Sequence, residues 1–176
     1  MMRSFFTFTK IGLMLMAALF LAAPTAMLAQ KGDTQEVLAH LYRNTNAETG
    51  LSKMAMKNSQ NADVKKFAHQ AMSDDRNLGG KLMAYAVKYN LRLIATAPAS
   101  TVAAEKQMKN LTGTDFDKMY LVQMDAFVKD DQKTAAQASA MSDPEVSAIG
   151  TKMQNLSSDQ AKQITALTTE EGYQIQ

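Results

Sequence analysis

The segment from residue 111 to residue 131, LTGTDFDKMYLVQMDAFVKDD, constrains the fold more than any other part of the sequence. It begins as a loop and continues as a helix that we expect to run from Asp115 to Met141. Thr114 followed three residues later by Asp117 resembles a capping box and predicts the helix start. At 100° per residue, one face collects residues suited to burial. These residues are Phe116, Met119, Tyr120, Gln123, Phe127, Thr134 and Ala138. Such a helix must pack against other helices.

The first 29 residues have the pattern of a secretory signal peptide. Arg3 and Lys10 form a positive n-region, and residues 11–23 form an uninterrupted apolar stretch. This stretch is short for a membrane-spanning helix, so the sequence favours a signal peptide over an uncleaved anchor. We therefore expect cleavage after Ala29 and an exported protein.

The charge balance and the absence of cysteine exclude several functions. Removing residues 1–29 removes two basic residues and no acidic residue, so the formal net charge falls from +2 to 0. A neutral chain lacks the basic surface of a nucleic-acid-binding protein, and no nucleic acid partner is expected. Without cysteine the protein has no disulfide, no thiolate metal site and no cysteine nucleophile.

The remaining sequence predicts three more long helices and one short helix, and no strand. The predicted helices other than the one above span residues 34–59, 62–90, 101–111 and 142–172. Residues 30–33 are interpreted as a tether, residues 34–172 as one helical domain, and residues 173–176 as a frayed tail. Asn61 is expected to cap the second long helix, and Ser142 the last. The pair Gly79 and Gly80 predicts either a close helix contact or a bend in the second helix, because glycine is unfavourable inside helices.

Acidic residues on the inward faces are the main candidates for a functional site. Glu48 and Asp75 lie at the centres of the apolar stripes of the first two long helices, and Asp131 flanks that of the third. A buried carboxylate needs a metal, a cation or hydrogen bonds. We favour an internal ion-pair cluster in which Arg76 neutralises Glu48 or a nearby aspartate, with no cofactor. The alternative is a site in which carboxylates bind iron or manganese, as in some helical bundles.

Other chemistry has little support in the sequence. The Glu-x-x-His motif of di-iron bundles is absent, and His40 and His69, the two histidines of the chain, are expected to be packed or solvated rather than ligands. The dispersed methionines are interpreted as core residues rather than as Cu(I) ligands. No nucleophile elbow or phosphate loop occurs. The sequence therefore predicts a protein without enzymatic activity.

Several motifs resemble a family of exported proteins, domain of unknown function 4142, whose members are often named as predicted outer membrane proteins. Leu111, Gly113, Phe116, Asp117 and Tyr120 match its L-x-G-x-x-F-D-x-x-Y signature. The segments ETGLSKMA at residues 48–55 and VKKFA at residues 64–68, which contains Phe67, match its first two helices. The resemblance implies an all-α, ferritin-like four-helix bundle with a short extra helix in the long connection between the second and third long helices.

The sequence departs from this family where the family carries histidines. Arg76 stands at one such position, and Asp159 or Gln160 at another. If those histidines bind metal in relatives, this chain has lost the ligands, and an inward polar cluster remains. Its predicted members are Glu48, Asp75, Arg76, Asp131 and Asp159.

The function expected from the sequence is that of an exported accessory module. We expect a non-enzymatic helical-bundle protein of unknown ligand, in the periplasm or at the outer membrane, with a role in the envelope or in stress. The alternative is a ferritin-like protein that binds metal through carboxylates.

An apolar arc near the end of the second helix is compatible with self-association. It contains Met83, Tyr85, Val87 and Tyr89.

Overall fold

The computed structural model describes the backbone of residues 23–173 and the side chains of residues 31–173. Within this range the chain forms five α-helices and no strand, which confirms the all-α prediction. The helices are α1 (Ala23–Asn58), α2 (Ala62–Tyr89), α3 (Ala99–Met108), α4 (Gly113–Ser139) and α5 (Pro144–Glu170).

The described chain divides into two units, with the boundary between Asp33 and Thr34. The predicted signal peptide lies mostly outside the described residues, and residues 23–29 are helical. Residues 30–33, which were expected to form a tether, belong to α1. No helix of the described chain has the length and apolar character needed to span a membrane. The second unit begins at Thr34, the first residue of the predicted helical domain.

Of the three predicted N-terminal helix caps, one agrees with the structure and two differ. Asn61 caps α2 by accepting hydrogen bonds from the backbone N–H groups of Asp63 and Val64, as predicted. At α5 the cap is Asp143 rather than Ser142, because Pro144 occupies the first helical position. The predicted start of α4 is also wrong, because the helix begins at Gly113 and Thr112 is its N-cap residue.

The chain end is more ordered than predicted. Gly172 adopts a left-handed φ of +65°, and the Tyr173 N–H donates to the Thr168 carbonyl at 2.8 Å, as in a Schellman cap. Tyr173 is buried in the core, so it is not part of a frayed tail. Residues 174–176 lie outside the described chain.

Contacts between helices fix their directions within the second unit. Asn44 contacts Asp131 and Ser52 contacts Tyr120, so α1 and α4 are antiparallel. Short turns make α1 antiparallel to α2, and α4 antiparallel to α5. Hence α2 and α4 run in the same direction, and the long connection between them, which contains α3, crosses from one end of the helices to the other.

Two apolar clusters form the core. On α2, Ala71 belongs to one cluster and Leu78 to the other, and Asp75 lies between them. On α4, Val128 and Ala135 flank Asp131 in the same way. A buried polar zone therefore divides the core across the long axis of the helices.

A close helix contact is made at a glycine that the sequence analysis did not single out. A Cβ atom added at Gly150 of α5 would lie 2.3 Å from the Ser139 backbone nitrogen and 2.8 Å from the Ala135 carbonyl oxygen. An added Cβ would meet nothing within 4 Å at Gly80, and at Gly79 it would meet only Thr45 Oγ1, at an ordinary 3.7 Å. Of the two alternatives predicted for this pair, a close helix contact or a bend, the close contact is therefore absent, and the tight α4–α5 packing depends on Gly150 instead.

Candidate functional site

The polar zone that divides the core contains one residue from each long helix. These residues, which we call the carboxylate layer, are Glu48 of α1 (0% exposed), Asp75 of α2 (1%), Asp131 of α4 (0%) and Gln160 of α5 (2%). Each occupies an inward position in its helical repeat, among apolar residues. The arrangement therefore removes three carboxyl groups and one carboxamide from water.

Most polar atoms of the carboxylate layer lack a donor or acceptor. Within residues 31–173, no donor from outside the layer reaches either oxygen of Glu48 or Asp75, and the same holds for Oδ2 of Asp131 and the amide of Gln160. Inside the layer, Asp131 interacts with Glu48, and Gln160 interacts with Asp75. The exception is Oδ1 of Asp131, which accepts a hydrogen bond from Asn44 Nδ2 at 2.7 Å. Unpartnered buried carboxylates cost several kcal/mol, so these groups favour a proton or a cation.

Burial and mutual repulsion shift the titration of all three carboxyl groups in the same direction. Desolvation raises the pKa of Glu48 well above its usual range, and the charges of Asp75 and Asp131 raise it further. Desolvation likewise raises the pKa of Asp75, although the nearby Gln160 side chain opposes the shift. Desolvation raises the pKa of Asp131 to about 6, with Glu48 and Asn44 opposing it. Burial and the neighbouring carboxyl groups therefore favour the protonated form of Glu48, whose side chain interacts directly with that of Asp131.

A hydrogen-bonded chain connects this layer to the surface at one side. His40 Nε2 contacts Asp130 Oδ2 at 2.5 Å, and Asn44 Nδ2 donates to the same oxygen at 3.0 Å as well as to Asp131. Partial burial would raise the pKa of Asp130, but the hydrogen bonds from Asn44 and His40 lower it overall. Asp130 is thus ionised, whereas its neighbour Asp131 is protonated more readily.

The structure brings together three of the five residues of the predicted polar cluster. Arg76 is exposed and makes no ion pair with any described residue, so the predicted neutralisation of Glu48 by Arg76 is wrong. Asp159 is also exposed, and it pairs with Lys162 at 3.0 Å. Arg76 follows the buried residue Asp75, and Asp159 precedes the buried residue Gln160. Gln160, rather than Asp159, therefore occupies the inward position on α5.

The family-motif residues stabilise the packing beside the layer. Phe67, Phe116 and Tyr120 are buried, and the rings of Phe67 and Tyr120 lie 6.0 Å apart. The Tyr120 hydroxyl lies 3.0 Å from Ser52 Oγ. Gly113 has a left-handed φ of +56° at the start of α4. Asp117 is buried, and desolvation raises its pKa.

Sequence reasoning missed the site roles of Asn44, Asp130 and His40. Asn44 precedes Glu48 by four residues and so lies on the same face of α1, which is the signal that could have placed it at the site. Asp130 and His40 lie at helix margins, and their pairing depends on the relative shift of α1 and α4. A single sequence does not specify that shift.

The donor set of the layer can be compared with what metal ions require. Its atoms are oxygens apart from the amide nitrogen of Gln160, and oxygen donors suit hard cations such as Mn²⁺ and Mg²⁺. Among the described residues no three His, Asp or Glu side chains are already arranged around one metal position. Cation binding would therefore require these side chains to release protons and turn towards a common point.

The helices and their inward acids define an all-α protein with a carboxylate layer across its core. The chain belongs to the family described as domain of unknown function DUF4142, which matches residues 20–174. No curated protein matches the chain significantly.

Solved structures share the fold at low sequence identity. The DUF305 protein of Streptomyces coelicolor, named as a predicted secreted protein, has a TM-score of 0.71 at 13% identity, over 81% of this chain and 95% of its own. CopM in its Cu(I)-bound form has a TM-score of 0.67 at 13% identity, over 78% of this chain and 96% of its own. A predicted spore coat protein of Bacillus halodurans has a TM-score of 0.61 at 13% identity, over 82% of this chain and 91% of its own. These similarities concern the fold alone.

Proposed function

We propose that the protein is an exported, ferritin-like four-helix protein without enzymatic activity, and that its carboxylate layer binds a divalent cation in exchange for protons. The observation that carries the proposal is the burial of three carboxyl groups and one carboxamide, one from each long helix, with almost no donors within reach. The helix order supports the ferritin-like assignment, because one long connection joins two helices that run in the same direction.

The electrostatics of the layer favour a cation over an internal base. Arg76 is exposed, and the amide of Asn44 is the one described donor to the layer. A divalent cation would replace the retained protons and neutralise the carboxylates in a single step. Oxygen donors favour Mn²⁺ or Fe²⁺ over Cu(I), which prefers sulfur ligands. CopM has been solved with Cu(I), Cu(II) and Ag bound, but its similarity to this chain carries no ligand assignment.

Export to the periplasm or outer membrane is part of the proposal. The n-region and apolar stretch of residues 1–29 support it. The name of the Streptomyces coelicolor relative as a predicted secreted protein is consistent with it. The absence of cysteine means that the fold does not depend on disulfide formation in that compartment.

A second candidate function is that of a purely structural envelope module with a protonated polar core. Two observations favour it: the layer has no preformed metal geometry within the described chain, and Glu48 and Asp131 can share one proton. In this case the layer specifies how the helices align, a role that buried polar groups have in some helical assemblies.

Calorimetric titration of the purified, chelator-free protein with Mn²⁺ at pH 8 and pH 5.5 tests the proposal. Binding should be stoichiometric, should release protons, and should weaken at pH 5.5, where protons compete for the carboxylates. Asp75→Asn should abolish it, whereas Asp159→Asn, a change at an exposed carboxylate, should leave it intact. No binding of Mn²⁺ or Fe²⁺ at pH 8 would establish the structural alternative.

A further inference from the structure

Gly79 and Gly80 lie in the middle of α2, where each glycine costs about 1 kcal/mol relative to alanine. Helix packing does not require them. A Cβ at Gly80 would meet nothing within 4 Å, and one at Gly79 would meet only Thr45 Oγ1 at an ordinary 3.7 Å. At Gly150, in contrast, an added Cβ would collide with the backbone of α4. The consequence of the glycine pair is therefore open space beside α2.

This space is a cleft of about 320 Å³ between α1 and α2. Its walls include the hydroxyl-bearing residues Tyr42, Thr45 and Thr49 of α1, and Arg76 is among its exposed residues. Asp75 also lines the cleft, although only 1% of the residue is exposed. Asp75 therefore forms the inner end of the cleft, and the carboxylate layer begins there.

A second cleft, of about 270 Å³, lies on the other side of the layer and is lined by His40, Asn44 and Asp130. Here the Asn44 amide stands between the cleft and Asp131, and it donates to both Asp130 and Asp131. An ion passing this way would have to break both hydrogen bonds. At Asp75 no residue of the cleft donates a hydrogen bond to the carboxyl group in the described chain, and Gln160, which interacts with Asp75, belongs to the layer itself.

We infer that the cleft beside Gly79 and Gly80 is the path by which a divalent cation reaches the carboxylate layer and protons leave it, and that Arg76 slows the passage of cations. This inference rests on the proposed function. The oxygen atoms of Thr45 and Thr49 can replace part of the hydration shell of a hard cation. The positive charge of Arg76 repels a divalent ion at the cleft, which makes the approach slower at low ionic strength.

The first test measures access to Asp75 without any metal. The purified protein is treated with a water-soluble carbodiimide and glycinamide at pH 5, and labelled carboxyl groups are identified by peptide mass spectrometry. Asp75 should be labelled faster than Glu48 or Asp131. Gly80→Leu, which fills the cleft, should reduce Asp75 labelling at least tenfold, whereas the matched variant Gly80→Ala should not. Absence of labelling at Asp75, or equal labelling in both variants, would overturn the path.

The second test follows proton release after rapid mixing with Mn²⁺ in the presence of a pH indicator. Gly80→Leu should slow the release at least tenfold with an unchanged amplitude, and Gly80→Ala should not slow it. Arg76→Gln should accelerate the release several-fold at low ionic strength and less in high salt.

Ser100→Leu is the control, because it fills the second cleft instead. If this variant slows proton release and Gly80→Leu does not, the path is wrong. If no variant or wild-type protein binds Mn²⁺, the proposed function fails, while the labelling experiment still decides whether the cleft gives access to Asp75.

Discussion

Glu48 is the residue whose surroundings differ most from those of an ordinary glutamate. Its side chain is fully buried, its nearest charged neighbours are acidic, and no amide, hydroxyl or basic group of the described chain donates to it. Desolvation raises its pKa, and Asp75 and Asp131 raise it further. At neutral pH the folded state thus favours a proton on Glu48 that the unfolded state, where the pKa is ordinary, has already released. This proton uptake reduces the stability of the folded protein as the pH rises.

Glu48→Gln should therefore stabilise the metal-free protein at pH 8. The amide has nearly the same shape, carries no charge, and can donate a hydrogen bond to Asp131. We expect the free energy of unfolding to rise by about 1–3 kcal/mol, because the amide removes the cost of holding either a proton or a buried charge at this position at pH 8. Denaturant unfolding at pH 8 measures the change. Asp159→Asn is the control, since that carboxylate is exposed and should change stability by less than about 0.5 kcal/mol. A loss of stability in Glu48→Gln would show that Glu48 is ionised and paired.

Arg76→Ala tests whether Arg76 forms a buried ion pair or is exposed, as in the structure. Arg76 is exposed and has no ion-pair partner in residues 31–173, so its truncation should change the free energy of unfolding by less than about 0.5 kcal/mol. Chemical unfolding at neutral pH measures this. A destabilisation of 3 kcal/mol or more would be the response of a broken buried pair and would contradict the position of this side chain.

At the scale of a helix, Gly150 determines how closely α4 and α5 pack. Its missing Cβ lets the backbone at Ala138 and Ser139 approach, and none of the atoms that an added Cβ would meet belongs to a flexible side chain. Gly150→Ala should therefore force the helices apart and destabilise the protein by about 3 kcal/mol or more, at the upper end of overpacking effects. Gly80→Ala is the matched control, and it should stabilise α2 by up to about 1 kcal/mol. Thermal unfolding of both variants measures the contrast, and equal effects would refute the close contact.

The cap of α5 provides a second prediction at this scale. Asp143 accepts hydrogen bonds from the Glu145 and Val146 N–H groups, at 2.8 and 3.1 Å, and from the Tyr85 hydroxyl at 2.9 Å. Burial by itself would raise the pKa of Asp143, but these hydrogen bonds together lower it. Asp143→Ala should cost about 1–2 kcal/mol, whereas Asp143→Asn should retain most of the stability. Equal losses in the two variants would show that the negative charge, not the hydrogen bonds, is required.

The helical repeat predicted the inward acids but not their partners. Glu48 and Asp75 fall at the centre of apolar stripes, and a period of 3.6 residues leaves little freedom in where such positions point. Arg76 and Asp159 lie one position away, about 100° around the helix, and the sequence analysis wrongly included them. The structural role of a glycine is even harder to predict from the sequence. Gly150 and Gly80 are equivalent in sequence terms, and only the neighbouring helix distinguishes a close contact from open space.

At the scale of the whole domain, the carboxylate layer separates two apolar clusters that would otherwise form one continuous core. All four long helices contribute to it, so any change in its charge acts on every helix at once. A proton or a cation bound there stabilises the folded state alone, because the unfolded chain does not assemble the layer. Stability and proton binding are consequently linked in this fold, and the proposed binding of a cation would be linked to both.

The pH dependence of stability follows from this linkage. Burial raises the folded-state pKa values of Glu48 and Asp75, and that of Asp131 to about 6. The folded state thus binds more protons than the unfolded state above pH 4 or so, and stability falls as the pH rises through the folded values. Asp131 alone contributes roughly 3 kcal/mol to this loss. Metal-free protein should therefore unfold at a lower temperature at pH 8 than at pH 5, as measured by circular dichroism.

Mn²⁺ should reverse this trend if the layer binds a cation. At pH 8 the carboxylates are free to bind, so a saturating concentration of Mn²⁺ should raise the unfolding temperature most there and least at pH 5, where protons already occupy the layer. The double variant Glu48→Gln with Asp75→Asn should reduce the fall in stability above pH 5 to the part that Asp131 contributes, and it should lose the response to Mn²⁺. A wild-type protein with the fall but no Mn²⁺ response would have a layer that binds protons alone. A protein that is more stable at pH 8 than at pH 5 without metal would contradict the raised pKa values themselves.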